Sequence, residues 1–268
     1  MTTTSPTIPT KFKPKREEWR GHGWTVYTKK GPILNSEEID EATEKLEIPM
    51  PEMIFGNNEV GIEHESGWSI RFDALSALDL VDKTGEREGL VQVAHSKEWL
   101  RTRQGTRTSD GHEVQFIKPY DWTYSTRYLG TGGEGLEQGE EQIPFDKLKR
   151  PDPIRFFADV SLYEDELGDN GIVTLNVKVR VMDERLLLLC RLFLRVDDVL
   201  FRLRDTRVFV EFGENKVVRE YLEKEANYND IKARVPNSSV DFGQYLRDVN
   251  WVANQMPTKT VSTDTTRL

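Results

Sequence analysis

The sequence predicts an α+β protein that is mostly β: an antiparallel β-sandwich with a few flanking helices. Three observations carry this. Val173, Leu175, Val177, Val179 and Val181 alternate with Thr174, Asn176, Lys178 and Arg180, the period of a strand with one buried face. Leu186 to Leu194, LLLLCRLFL, is apolar almost throughout, as a strand covered on both faces is, so it belongs centrally in its sheet. The turns between such stretches are too short for parallel crossovers, which makes consecutive strands antiparallel. Short strands, few helices and sheet faces that need covering give a sandwich with helices at its edges.

In chain order, Trp24 to Thr28 is a short strand. Asn35 caps a helix, with Glu38 three residues on completing a capping box. Ile39, Ala42 and Leu46 form its apolar face, and Pro49 and Pro51 end it. Trp68, Ile70 and Phe72 alternate with Ser69, Arg71 and Asp73, a half-buried strand. Leu90 to Ala94 is another strand, Ser96 caps a short helix ending near Arg103, and Gln104 to His112 is a polar loop. Tyr120, Trp122, Tyr124 and Tyr128 occupy even positions of QFIKPYDWTYSTRYLGT. A strand there turns all four rings to one face and Asp121, Thr123 and Ser125 to the other. Such a row is either a core spine or a platform for a partner, and rings at alternate positions lean toward core.

Gly130 to Gln142 is a Gly- and Glu-rich loop, and Pro153 to Phe157 a helical turn. Asp159 to Leu167 is a strand joined through GDNG to the Val173–Val181 strand. Pairing Leu167 with Ile172 sets Leu162 opposite Val177 and Asp159 opposite Arg180. Asp197-Asp198 is a two-residue turn between Val196 and Val199. Further strands run from Val199 to Leu203 and from Arg207 to Phe212, with Asp205-Thr206-Arg207 at a turn. Residues 1–20 are expected as a disordered arm, 21–252 as one domain, and 253–268 as a disordered tail.

Several function classes are excluded on composition. Net charge is −9, which repels a phosphate backbone, so no nucleic-acid partner is expected. The basic cluster Lys11, Lys13, Lys15, Arg16 reads as a solvated arm before a nuclear-import signal. The chain lacks an apolar run of membrane length and a hydrophobic leader. Its single cysteine, Cys190, forbids an intramolecular disulfide. A reducing compartment follows: cytoplasm, with the nucleus as an additional site.

Motif by motif, the chemistry is thin. Gly130, Gly132 and Gly135 match G-x-G-x-x-G, but LEQGEEQIP follows where a phosphate site needs a helix N-terminus. His22, His64, His95 and His112 have no zinc spacing, and His95-Ser96 lacks a nucleophile elbow. Cys190 sits in the most apolar run, as an inert packed cysteine does. Glu164, Asp165, Glu166 and Asp169 lack calcium-loop order and read as a charged edge strand, then as a patch for a basic partner. Arg202, Arg204, Asp205, Arg207, Arg219 and Glu220 form a mixed-charge group, read first as ordinary salt-bridged surface and second as a rim around a groove that grips a partner. No catalytic, cofactor-binding or metal-binding residues are expected. Stacking on the aromatic strand leaves a small-ligand or carbohydrate-binding sandwich as the alternative function.

The strings MPEMIFGNN (Met50 to Asn58), IKPYDWTYSTRYLGT (Ile117 to Thr131), LYEDELGDNG (Leu162 to Gly171), VKVRVM (Val177 to Met182), FLRVDDVLFRLRDTR (Phe193 to Arg207) and REY (Arg219 to Tyr221) closely resemble, in order, the TIPRL family. These are the TOR signalling pathway regulator-like proteins, called Tip-forty-one in fungi. The resemblance implies the same sandwich and a non-enzymatic regulator of TOR-dependent signalling. Its implied partners are the catalytic subunits of type 2A and related serine/threonine phosphatases, with a phosphatase-associated TOR-pathway regulatory subunit in fungi. It also implies partner contact through a cleft and its rim, at Ile143, Leu203, Asp205, Arg207 and Tyr221. Relatives often carry methionine where this chain has Leu203, and can carry aspartate where it has Ser76.

Overall fold

The computed structural model describes residues 13–85, 90–91, 120–236 and 242–268. The expected Ser96-capped helix and polar loop lie outside the described residues, as do the strand after Val91 and residues 1–12 of the expected arm. Two antiparallel sheets form the sandwich. The smaller one, with strand order β1-β2-β4-β5-β6, contains β1 (Lys15–Gly21), β2 (Trp24–Lys30), β4 (Glu59–His64), β5 (Ser69–Asp73) and β6 (Thr131–Gly132). The larger one, ordered β3-β8-β9-β10-β11-β12-β13-β7, adds β3 (Met53–Ile54), β7 (Glu137–Gln138), β8 (Phe156–Asp165), β9 (Gly171–Val181), β10 (Arg185–Val196), β11 (Leu200–Glu211), β12 (Lys216–Asn227) and β13 (Thr258–Arg267). Six helices flank the sheets in the described residues: α1 (Ser36–Leu46), α2 (Ala74–Leu78), α3 (Phe145–Leu148), α4 (Tyr228–Lys232), α5 (Phe242–Arg247) and α6 (Val249–Gln255). Among these residues no helix is long and apolar enough to cross a membrane.

The alternation read from the sequence builds the core. Val173, Val177 and Val181 of β9 meet Leu188 of β10 and Val26 and Ile62 of the facing sheet in one buried cluster. The strand LLLLCRLFL is central, as expected, between β9 and β11. The Asn35 capping box is present: Glu38 N–H donates to Asn35 Oδ1 at 3.1 Å and Asn35 N–H to Glu38 Oε2 at 2.9 Å. Glu47 (φ 57) then closes α1 in the left-handed region, before the prolines expected to end it.

Other expectations are corrected. The aromatic segment is not a strand. Residues of both parities are buried, Asp121, Thr123 and Ser125 as well as Tyr124 and Tyr128, and Tyr124 has φ 51. Its polar side chains replace a ladder: Asp121 Oδ1 accepts from Thr123 N–H (3.0 Å) and Thr123 Oγ1–H (2.6 Å), a local turn that competes with extended pairing. The expected helical turn from Pro153 to Phe157 does not form: Phe156 and Phe157 already belong to β8, and Arg155 N–H donates to Val181 O at 2.8 Å. The β8–β9 register is also shifted. Val160, not Leu162, faces Val177, and Asp159 faces Lys178 rather than Arg180. An irregularity between Ser161 and Tyr163 moves the register by one residue, and Asp159 still finds a cation, Lys178 at 2.9 Å.

The β10–β11 turn holds three residues, since Val196 pairs with Leu200, with Asp198 at φ 59. The two strands expected on either side of Asp205 are one strand, β11, and Asp205-Thr206-Arg207 lies in its middle rather than at a turn. The expected tail, 253–268, contains the end of α6 and all of β13, and the last residues of the expected arm form β1. Polar β-formers such as threonine pair well at an edge where neither face must be deeply buried. The Gly-rich loop supplies β6 to one sheet and β7 to the other, so it straps the sandwich together.

Candidate functional site

Side chains on β11 alternate between the sandwich interior and the outer face of the large sheet. Leu203, Asp205, Arg207 and Phe209 share the outer face, where the ladder places Arg191 opposite Asp205 and Glu220 opposite Arg207. Two apolar clusters cover the ends of this face. Leu203 is buried with Phe193, Phe201, Ile231, Leu246 and Val252 beneath α4–α6. Ile143 is buried with Leu148, Met182, Phe209 and Val218 beneath the 143–148 segment.

That segment is held by polar clasps. Buried Arg185 donates to Lys147 O (3.1 Å) and Asp152 Oδ2 (2.9 Å), and Arg180 donates to Leu148 O (3.1 Å). Between the clusters lies a polar strip. Its ends, Leu187 and Phe193, are six residues apart on β10, about 20 Å at ~3.3 Å per residue. The strip and the two apolar clusters that flank it are termed the groove.

The floor of the groove is a charge chain. Asp205, 0% exposed, accepts from Arg191 Nε (2.7 Å) and Nη2 (2.8 Å) and from Arg207 Nη2 (3.0 Å). Arg207 Nη1 continues to Glu220 Oε1 at 2.7 Å, and Arg191 Nη1 to Asn250 Oδ1 of α6 at 3.0 Å. The guanidinium of Arg207 lies 5.5 Å from the ring centre of half-exposed Phe145. Bidentate and shared contacts of this kind fix side chains in one geometry. The groove therefore presents pre-positioned donors beside exposed aromatic surface.

Of the five residues the resemblance implied, four lie on this face. Asp205 and Arg207 lie on the floor, and Leu203 and Ile143 lie inside the walls. Tyr221 does not join them, because it pairs with Thr206 and faces the sandwich interior. There its hydroxyl donates to Glu223 Oε2 at 3.1 Å. Arg127 (3.1 Å) and Arg204 (3.5 Å) also reach Glu223. Burial pushes the Tyr221 hydroxyl well up and holds Arg204 below its ordinary value. Burial alone would raise the Glu223 carboxyl, but the guanidinium groups of Arg204 and Arg127 outweigh it and hold it low. Of the mixed-charge group, Arg202 and Arg204 belong to this interior side, where Arg202 donates to Glu225 Oε2 at 2.7 Å.

Arg191, Asn250 and Phe145 were missed. The available signal for Arg191 was a charged residue inside a strand otherwise apolar on both faces. Nothing local marks Asn250, which reaches the floor only because α6 packs over β10 and β11.

The remaining motifs are structural. Gly130, Gly132 and Gly135 all have positive φ and lead into β7 rather than a helix. His22 stacks on Phe212 and His64 contacts Ser66 at 2.9 Å; His95 and His112 lie outside the described residues. Burial pushes the Cys190 thiol well above its ordinary value, which suppresses the nucleophilic thiolate. Asp165 of the acidic run is buried and accepts from Glu52 N–H (3.0 Å) and Leu167 N–H (2.6 Å). Among the described residues no group of three or more His, Cys, Asp or Glu could hold a metal ion. Tyr124 is buried, and Tyr120 and Trp122 pack half-buried against the core.

Fold and site together define an antiparallel sandwich whose organised surface is a groove with a charged floor and apolar walls. The model of the TIP41-like family matches residues 53–232. The type 2A phosphatase activator TIP41 of Saccharomyces cerevisiae is 46% identical over 252 residues, covering 87% of this chain and 70% of the relative. The TIP41-like protein of Homo sapiens is 40% identical over 232 residues, 83% of each. The type 2A phosphatase activator tip41 of Schizosaccharomyces pombe is 32% identical over 247 residues, 91% of this chain and 95% of the relative. The chain belongs to the TIP41-like family, the one its sequence strings resemble.

Proposed function

We propose that this chain is a non-enzymatic regulator that binds the catalytic subunit of type 2A and related serine/threonine phosphatases and modulates TOR-dependent signalling in the cytoplasm and nucleus. The observation that carries the reading is membership of a family whose fungal relatives are named type 2A phosphatase activators. The groove supports it, because a rigid charged floor between apolar walls suits a protein segment better than a small polar substrate. In this reading the partner rests on Arg207, which buried Asp205 holds in place, between walls formed over Leu203 and Ile143. Tyr221 acts from the other face through the Arg127–Glu223 cluster.

Capture of a purified type 2A catalytic subunit by the full chain tests the reading. Binding is expected at micromolar concentration, weakened about tenfold or more by Arg207→Ala, whose side chain lies at the groove surface. Absence of binding by the parent chain at that concentration overturns the function. Undiminished binding by folded Arg207→Ala removes the groove from the interface.

A further inference from the structure

Strand β13 is held differently from its neighbours. None of its residues is buried, and its one apolar side chain, Val261, is 55% exposed. By contrast, β12 beneath it carries buried Val217, Val218 and Tyr221. What holds β13 is a ladder from Lys216↔Arg267 to Lys224↔Thr258, irregular between Glu223 and Lys224. One well-made ion pair adds to it: Arg219 Nε and Nη2 both donate to Asp264 Oδ2, at 3.0 and 2.6 Å. Lys259–Glu225 (3.1 Å) and Arg267–Glu214 (3.5 Å) are more exposed. On the far side β7 pairs only with Asp264 and Thr265, and half-buried Leu268 touches the core just beyond the strand.

Strands held by backbone bonds and surface charge, without core side chains, open at far lower free energy than the global transition. Opening β13 would expose the edge of β12, a row of unpaired N–H and C=O groups ready to accept another strand. The edge would also expose Arg219, which is 14% exposed beneath Asp264. We propose that the β12 edge is a strand-addition site for an extended, Thr/Ser-rich segment of a partner protein, with a carboxylate at the position of Asp264, and that β13 is its built-in occupant. The chemistry of the occupant follows from the strand now in place, TKTVSTDTTR: small β-forming side chains where neither face is deep, and one acid to meet Arg219.

Two measurements on the full chain decide the matter. In hydrogen exchange, the β12-facing amides of β13 are expected to exchange at least about 100-fold faster than those of β10 and β11. Equal protection overturns the proposal. A fluorescent peptide of residues 257–268 is then added at millimolar concentration, the order needed to compete with a tethered strand. Saturable binding is expected, about tenfold weaker for the Asp264→Asn peptide, and absence of binding overturns the site. Equal binding of the two peptides overturns the acid requirement, and because the protein itself is unchanged, misfolding cannot explain that result.

Discussion

Asp205 is the residue on which the groove depends. It is a fully buried carboxylate shared by Arg191 and Arg207. A buried pair contributes little over an apolar replacement, but removing one partner strands the other charge. Asp205→Ala is therefore expected to destabilise the protein by about 3 kcal/mol, read as a lowered urea midpoint. Arg207→Ala costs less, because Asp205 keeps Arg191. A shift for Asp205→Ala no larger than that of an exposed carboxylate would mean that Arg191 is satisfied elsewhere. On the interior side, the folded-state pKa values of Glu223 and Glu225 lie below their ordinary value of 4.5. Their stabilisation is thus fully present above pH 4.5 and lost as pH falls through the depressed values. Glu223→Gln should flatten the stability decline below pH 4.5 in urea titrations. An unchanged acid limb would show that the pairing of Glu223 with Arg127 and Arg204 does not distinguish the folded from the unfolded carboxyl.

At the scale of elements, strands with unbroken alternation were legible and irregular segments were not. The β9 pattern is visible because every second residue is a valine or leucine. The 120–130 segment failed for a stated reason: its even-numbered rings mimic a strand, but Asp121 and Thr123 bond locally and both parities are buried. The strap that follows is sensitive to substitution at Gly132. Gly132 has φ +93, and a Cβ there would stand 2.5 Å from Ser69 O of β5. Gly132→Ala is expected to cost about 2 kcal/mol or more, since backbone cannot give way as a side-chain tip can. Thermal unfolding checks this, with Gly213→Ala, where an added Cβ meets nothing within 4 Å, as the control. Equal effects of the two changes would show that the strap relaxes freely.

Across the whole molecule, the sandwich places its two charged assemblies on opposite faces of one sheet. One is the outer groove around Asp205, and the other is the interior cluster around Glu223. Asp205 and Glu223 stand on adjacent strands, β11 and β12, and the pleat directs them to opposite sides. The sequence by itself determined the fold class, the central strand, the helix cap and the family, since these rest on local periodicity and on long strings read in order. It also pointed to Leu203, Asp205 and Arg207 as neighbours along the chain. Only the tertiary structure decided that Ile143 arrives beside them under the clasp of Arg185, that Arg191 and Asn250 complete the floor, and that Tyr221 faces away. Those are outcomes of register and cross-strand pairing between residues far apart in sequence. A single bulge or a left-handed residue resets such pairings, and no local pattern encodes them.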